Sequence, residues 1–187
     1  MKKALFALTL AAAAAGATAA TYNVDAHHAN ARFSIDHFNT STNVGGFYGL
    51  TGKVEFDAAK RQGSAKIVIP VNSLQSSSSD FTKHLLSADL FNAAQFPEIR
   101  FESTKFNFAG KKVTSVDGRL TMMGKTHPVR LKANKFNCYQ SPMKKTEVCG
   151  GDFSTTIDRT KWGVNYLVNA GMTKNVKLDI QIEAVKQ

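Results

Sequence analysis

Apolar and polar residues alternate through most of this chain with the two-residue period of a β-strand. The clearest run is Val176-Lys177-Leu178-Asp179-Ile180-Gln181-Ile182-Glu183, which predicts a strand with one buried face. Phe33, Ile35 and His37 share a face of an earlier strand, with Arg32, Ser34 and Asp36 on the other. The same period places Ile67, Ile69 and Val71 together, then Leu120 with Met122, Val129 with Leu131, and Phe153, Thr155 and Ile157. Turns are predicted at 58–63, at Ala109-Gly110-Lys111-Lys112 and at Gly124-Lys125. Pro70 has no N–H to give a ladder, so its strand reaches an edge or a bulge there. Gly150-Gly151 predicts a break.

The period changes in one place. Phe81, Leu85 and Leu86, then Leu90 and Phe91, recur at helical spacing after four serines, Ser76 to Ser79. Ser79 or Asp80 is the expected N-cap, and Pro97 ends the segment. Ile99-Arg100-Phe101-Glu102 returns to strand alternation. Between residues 40 and 57, Gly45, Gly46, Gly49 and Gly52 are interleaved with Phe47, Tyr48, Leu50, Val54 and Phe56. Such spacing suits a sharply curved sheet. Short strands with glycine-rich turns and one helical insert predict an antiparallel sandwich or barrel.

The first residues follow a different rule. Met1-Lys2-Lys3 is basic, residues 5–15 are apolar, and Ala17-Thr18-Ala19 fits the small-x-small cleavage pattern. This predicts a secretory signal peptide over 1–19 and a single mature domain over 20–187. Thr18-Ala19-Ala20 fits cleavage after Ala20 nearly as well. The apolar run is shorter than the ~20 residues a membrane span needs.

The chain carries a formal charge of +10, but its basic residues come only in pairs such as Lys60-Arg61, Lys111-Lys112 and Lys144-Lys145. A nucleic-acid surface would concentrate them in a stripe, so no nucleic-acid partner is expected. A spread basic surface serves solubility, and would also favour peripheral contact with anionic headgroups. Cys138 and Cys149 are the only cysteines. In an exported protein such a pair reads as a disulfide; a metal or redox site is the weaker reading, since the spacing is not C-x-x-C and no histidine is near.

Candidate chemistry is sparse. The five histidines are His27, His28, His37, His84 and His127. His27 and His28, read as extended, point to opposite faces, which disfavours a metal site. No nucleophile motif and no carboxylate pair in an apolar run is present, so no catalytic residue is assigned. The positive signal is thirteen phenylalanines, which either fill a barrel or line one that holds a ligand.

Several segments resemble the YceI-like family. The central one holds Ser79-Asp80, His84-Leu85, Ser87, Asp89, Phe91, Phe96-Pro97, Ile99, Phe101 and Ser103-Thr104. Tyr22-x-x-Asp25 followed by His27, and Phe33-x-Ile35-x-His37, resemble its opening. Gly46-Phe47-x-Gly49 and Gly118-x-Leu120-Thr121-x-x-Gly124-x-Thr126-x-Pro128-Val129 are similar to two further motifs, and Arg159-Thr160-x-Trp162-Gly163 to a third in which the family has serine at the place of Thr160.

The resemblance implies an extended eight-stranded antiparallel lipocalin-like barrel, with the helical insert capping one end. It implies a periplasmic, non-enzymatic protein that holds a long-chain isoprenoid, such as a polyprenyl quinone, for transport or storage. His84 would contact structural or ligand polar groups. Paired barrels are compatible with it, and no cofactor beyond the lipid is implied. Alternation then selects the lumen-facing set: Phe33, Ile35, Phe47, Val54, Phe56, Ile67, Ile69, Leu85, Leu90, Phe91, Phe101, Leu120, Met122, Val129, Leu131, Leu178 and Ile180. The alternative is an interaction protein with a side-chain-filled barrel that uses its basic surface on anionic partners.

Overall fold

The alternating stretches become strands. In the computed structural model, which describes residues 19–187, they are β1 (Ala20–Val24), β2 (Asn30–His37), β3 (Ser41–Tyr48), β4 (Thr51–Asp57), β5 (Gln62–Pro70), β6 (Gln75–Ser76), β7 (Glu98–Ala109), β8 (Lys112–Met122), β9 (Lys125–Gln140), β10 (Glu147–Asp158) and β11 (Asn175–Lys186). One helix, α1 (Ser79–Leu86), lies between β6 and β7. The signal-peptide reading falls almost wholly on residues 1–18, outside the described residues.

Every pairing is antiparallel, and the order β1-β4-β5-β7-β8-β9-β10-β11 returns to β1. The fold is therefore a closed eight-stranded barrel, as the resemblance implied, and the sandwich alternative falls away. Closure depends on the length of β11. Its C-terminal part pairs β1 through Val24↔Ala184 and its neighbours. Its N-terminal part pairs β2 from Ser34↔Lys177 to Asn30↔Gln181. β1 and β2 are thus two halves of one wall, separated by a turn in which Asp25 accepts the His27 N–H at 3.1 Å. That turn corrects the extended reading of His27-His28: the pair lies in a tight helical turn, and His28 Nδ1 stands 3.2 Å from Asp25 Oδ2.

The adjoining wall, β3 paired to β2 and β4 paired to β1, breaks at Gly49-Leu50, where Gly49 takes φ +67°, a conformation glycine reaches without strain. β3 lies above that point and β4 below it. Pro70 closes β5 next to Glu98 of β7, beyond the last β4 partner, Val68. The expected edge is therefore local: β5 is otherwise flanked on both sides. Past Pro70 the chain leaves the wall, touches β3 briefly through β6, and enters α1.

α1 begins one residue earlier than expected. The N-cap is Ser78, whose hydroxyl accepts the Phe81 N–H at 3.2 Å, rather than Ser79 or Asp80. The helix also ends earlier, at Leu86. Ser87 is extended, and its hydroxyl donates to the His84 carbonyl at 2.7 Å, a local bond that competes with helix continuation. Leu90 and Phe91 are then set by turn bonds, including Phe91 N–H to the Leu85 carbonyl at 3.0 Å. Their helical spacing does not reflect a helix.

Gly150-Gly151 is not a break either. Both lie inside β10, paired to β9 and β11. A Cβ at Gly150 would strike the Ile182 carbonyl oxygen, and one at Gly151 the Lys135 carbonyl oxygen. Next to them Cys138 and Cys149 are register partners across β9 and β10 and form a disulfide.

Candidate ligand-binding lumen

Inside the barrel the apolar faces enclose two cavities that share a boundary. The deep one, about 130 Å³, is lined from the lower parts of the walls by Val54, Phe56, Ile67, Phe101, Val129, Leu131 and Ile180. The outer one, about 350 Å³, is lined by Phe33, Ile35, Phe47, Leu85, Leu90, Phe91 and Met122. Ala31, Ile69, Leu120 and Leu178 line both. These four come from β5, β8 and the paired neighbours β2 and β11, and form a waist between the chambers. Every residue of the lumen-facing set drawn from alternation lies on one chamber or both.

Sequence reasoning missed other members. Phe106, Phe136, Phe153 and Ile182 line the deep chamber, and Phe81, Ile99, Ile157 and Val164 the outer one. Phe153, Ile157 and Ile182 sit on faces the alternation already marked. Ala31 carried no signal, because a small residue adds little to an apolar pattern.

The phenylalanines leave a lumen because several lie along its wall. Phe33 faces Gly45 across β2 and β3, and its Cζ occupies the space of the missing side chain, 2.5 Å from where a Cβ would stand. The Phe101 ring covers Gly118, and Phe106 covers Gly63, in the same way. A glycine on one strand thus receives the ring of another, which is how aromatic residues repair glycines in a curved sheet. Further rings pack on each other: Phe47 meets Phe91 edge to face at 5.3 Å, and Phe56 meets Phe136 at 5.2 Å.

The two ends differ. At the floor of the deep chamber Tyr22 is 2% exposed, and its hydroxyl donates to Glu147 Oε1 at 2.6 Å. Burial pushes this phenol well above its ordinary value, and the Glu147 carboxylate adds to the effect. The outer chamber holds more polar groups: His37, Asn43, His84, Arg159 and Tyr166 line it beside hydrocarbon. His84 was expected to contact structural or ligand polar groups. It stands in the last turn of α1, with its ring edge-on to Tyr166 at 4.8 Å.

Over this end runs the segment 159–174, ordered by a buried cation. Arg159 is 4% exposed. It donates to the carbonyls of Thr173 at 3.1 Å, Val164 at 3.0 Å and Tyr166 at 2.9 Å. Burial lowers its guanidinium pKa, against the opposing field of Asp158. The bonds cross-brace a loop that has little regular structure of its own. Trp162, 2% exposed, anchors the same loop on β8. Tyr166 and Leu167, both exposed, line the outer chamber from this loop, so the chamber reaches the surface beside them.

Among the described residues His, Cys, Asp and Glu do not gather in any group of three or more suited to a metal ion. The lumen is lined by hydrocarbon, with a more polar mouth.

Comparison with known proteins agrees with this architecture. The YceI-like domain family matches residues 22–184. A UPF0312 protein of Shewanella denitrificans is 35% identical, with all of both chains covered. One of Pseudomonas putida is 34% identical, over all of this chain and 99% of its own. Among solved structures, the Campylobacter jejuni YCEI protein superposes with a TM-score of 0.72 at 20% identity, covering 82% of this chain and 90% of its own. A polyisoprenoid binding domain from Saccharophagus degradans gives 0.62 at 12% identity, covering 90% and 99%. On the family match and the full-length relatives, the chain belongs to the YceI-like family.

Proposed function

We propose that this protein binds one long-chain isoprenoid lipid in the barrel lumen, with the tail crossing the waist into the deep chamber. The observation that carries this reading is that the two apolar chambers adjoin end to end, with Ala31, Ile69, Leu120 and Leu178 lining both. Each CH₂ taken out of water contributes about 0.8 kcal/mol, so a long tail is held without polar recognition. The Saccharophagus neighbour, described as a polyisoprenoid binding domain, supports the choice of lipid class. A polyprenyl quinone suits the arrangement, because its ring would sit among His37, Asn43, His84 and Tyr166 at the mouth. The leader-like residues 1–19 support export to the periplasm, where the protein would carry or store the lipid. We read it as a carrier rather than a catalyst, since the lumen walls are almost entirely hydrocarbon.

The reading is tested by placing charge in both chambers. Phe33→Arg combined with Phe101→Arg should remove lipid uptake while far-ultraviolet circular dichroism still reports a β-barrel. Uptake unchanged from wild type would refute it.

A further inference from the structure

Two exposed apolar side chains at the mouth sit in backbone conformations that disfavour them. Phe38 and Asn39 form the tip between β2 and β3, both with φ +54°, and Thr40 N–H closes the turn on the His37 carbonyl at 3.1 Å. A turn with positive φ at both central positions favours Asn or Gly there. Here a phenylalanine, 39% exposed, occupies the first. Leu167 has φ +57° and is also 39% exposed. Left-handed backbone is uncommon for bulky residues, and where it persists at an exposed position a functional cause is sought.

The two share one end of the barrel. Leu167 lines the outer chamber, and so does His37, whose ring stands 4.9 Å from Phe38. The segment 159–174 that carries Leu167 also carries the exposed Tyr166, Lys161 and Lys174. Apolar tips with a tyrosine and lysines around them have the composition of a segment that dips into the interface of a bilayer. The local charges do not add up to a strong attraction. Asp36 accepts the Asn39 N–H at 2.7 Å, and Asp158 stands 3.6 Å from Lys174 Nζ.

We propose that Phe38 and Leu167 are membrane-docking tips: they insert into a phospholipid surface and set the mouth of the lumen on the bilayer from which its lipid is drawn. The choice of a bilayer as partner rests on the lumen reading, since an isoprenoid that fills the chambers resides in membranes. The insertion itself is driven by apolar burial, not by the spread basic charge.

The test uses the mature protein and extruded vesicles of phosphatidylethanolamine and phosphatidylglycerol, with binding read by co-sedimentation. Phe38→Asn together with Leu167→Asn replaces each tip by a residue suited to its φ. The variant should therefore melt no lower than wild type. Its vesicle partitioning should fall by about 10-fold or more, from two lost apolar insertions. Wild-type binding should persist in high salt, because screening acts on exposed charges and not on buried hydrocarbon. Partitioning of the variant equal to wild type would overturn the proposal, and so would loss of wild-type binding in high salt. Loading wild type and the single variant Phe38→Asn, whose side chain lines neither chamber, with detergent-solubilised quinone separates the two readings. Normal loading with weak vesicle binding marks the variant as a docking mutant. A wild type that docks but takes up no quinone would refute the lumen reading and leave the docking tips standing.

Discussion

Trp162 Nε1 donates to the backbone carbonyl of Leu120 at 3.0 Å, which ties the loop over the mouth to a residue of the waist. His127 reinforces the joint: its ring meets the indole edge-on at 5.1 Å, and its Nε2 lies 3.0 Å from the Lys161 carbonyl. Trp162→Phe keeps most of the packing and deletes the bond, at a cost of about 1–2 kcal/mol. Trp162→Ala also leaves a cavity and costs about 3–5 kcal/mol. Urea unfolding of the two variants checks both values. Amide exchange across 159–174 should speed up more than exchange in β10, because the loop loses its anchor while the sheet does not.

The waist gives a second expectation. Ala31 is the smallest of the four residues shared by the chambers. Ala31→Trp would close the passage and leave the outer chamber usable. A long-tailed quinone should then bind about 10-fold or more weakly, since each methylene kept out of the deep chamber forfeits roughly 0.8 kcal/mol. A short-tailed quinone should bind as it does to wild type, which also shows that the variant is folded. Competition binding with the two ligands makes the comparison.

Glycine at 118 makes room for Phe101. Gly118→Val would push that ring off the wall and into the deep chamber, with an overpacking cost of about 1–3 kcal/mol and a loss of lipid capacity. Adding Phe101→Leu should recover part of the capacity. Equal losses in the single and double variants would show that the wall packing is not what keeps the lumen open.

Acid should weaken the fold through particular carboxylates. The Arg130 bond, helped by one from Asn107, holds the Asp117 carboxyl below its usual range. Burial opposes ionisation of Asp25, but bonds from His28, Lys144 and the His27 N–H outweigh it and lower its pKa as well. A folded-state pKa below the unfolded one gives stability that is complete above the unfolded value, about 3.9, and is lost as pH falls through the folded value. The urea midpoint should therefore be insensitive to these groups from about pH 7 to pH 5, and should drop below about pH 4. Asp117→Asn should make that acid limb shallower.

Strand faces were legible in the sequence wherever one side is wet. The run from Val176 to Glu183 and the trio Phe33, Ile35 and His37 fall on the faces that alternation assigned, and the lumen-facing set followed from the same rule. Features made by distant neighbours were not legible. Gly150-Gly151 looks like a break because nothing local shows that β9 and β11 crowd it on both sides. Leu90 and Phe91 imitate helical spacing, since a pair of turns returns them to the same side as Leu85. Arg159 gives no hint that it is buried, because its partners are backbone carbonyls of Val164, Tyr166 and Thr173, which carry no side-chain signature. The waist went unread for the corresponding reason: Ala31 matters through the space it leaves.

The measurement to make first is native mass spectrometry of the purified mature protein, followed by organic extraction and mass analysis of what is released. A lumen that holds an isoprenoid predicts a co-purifying or added polyprenyl lipid at about one per chain, lost in the Phe33→Arg, Phe101→Arg variant. A protein that emerges empty and takes up no added quinone would contradict it, and would mean that the chambers close on their own side chains.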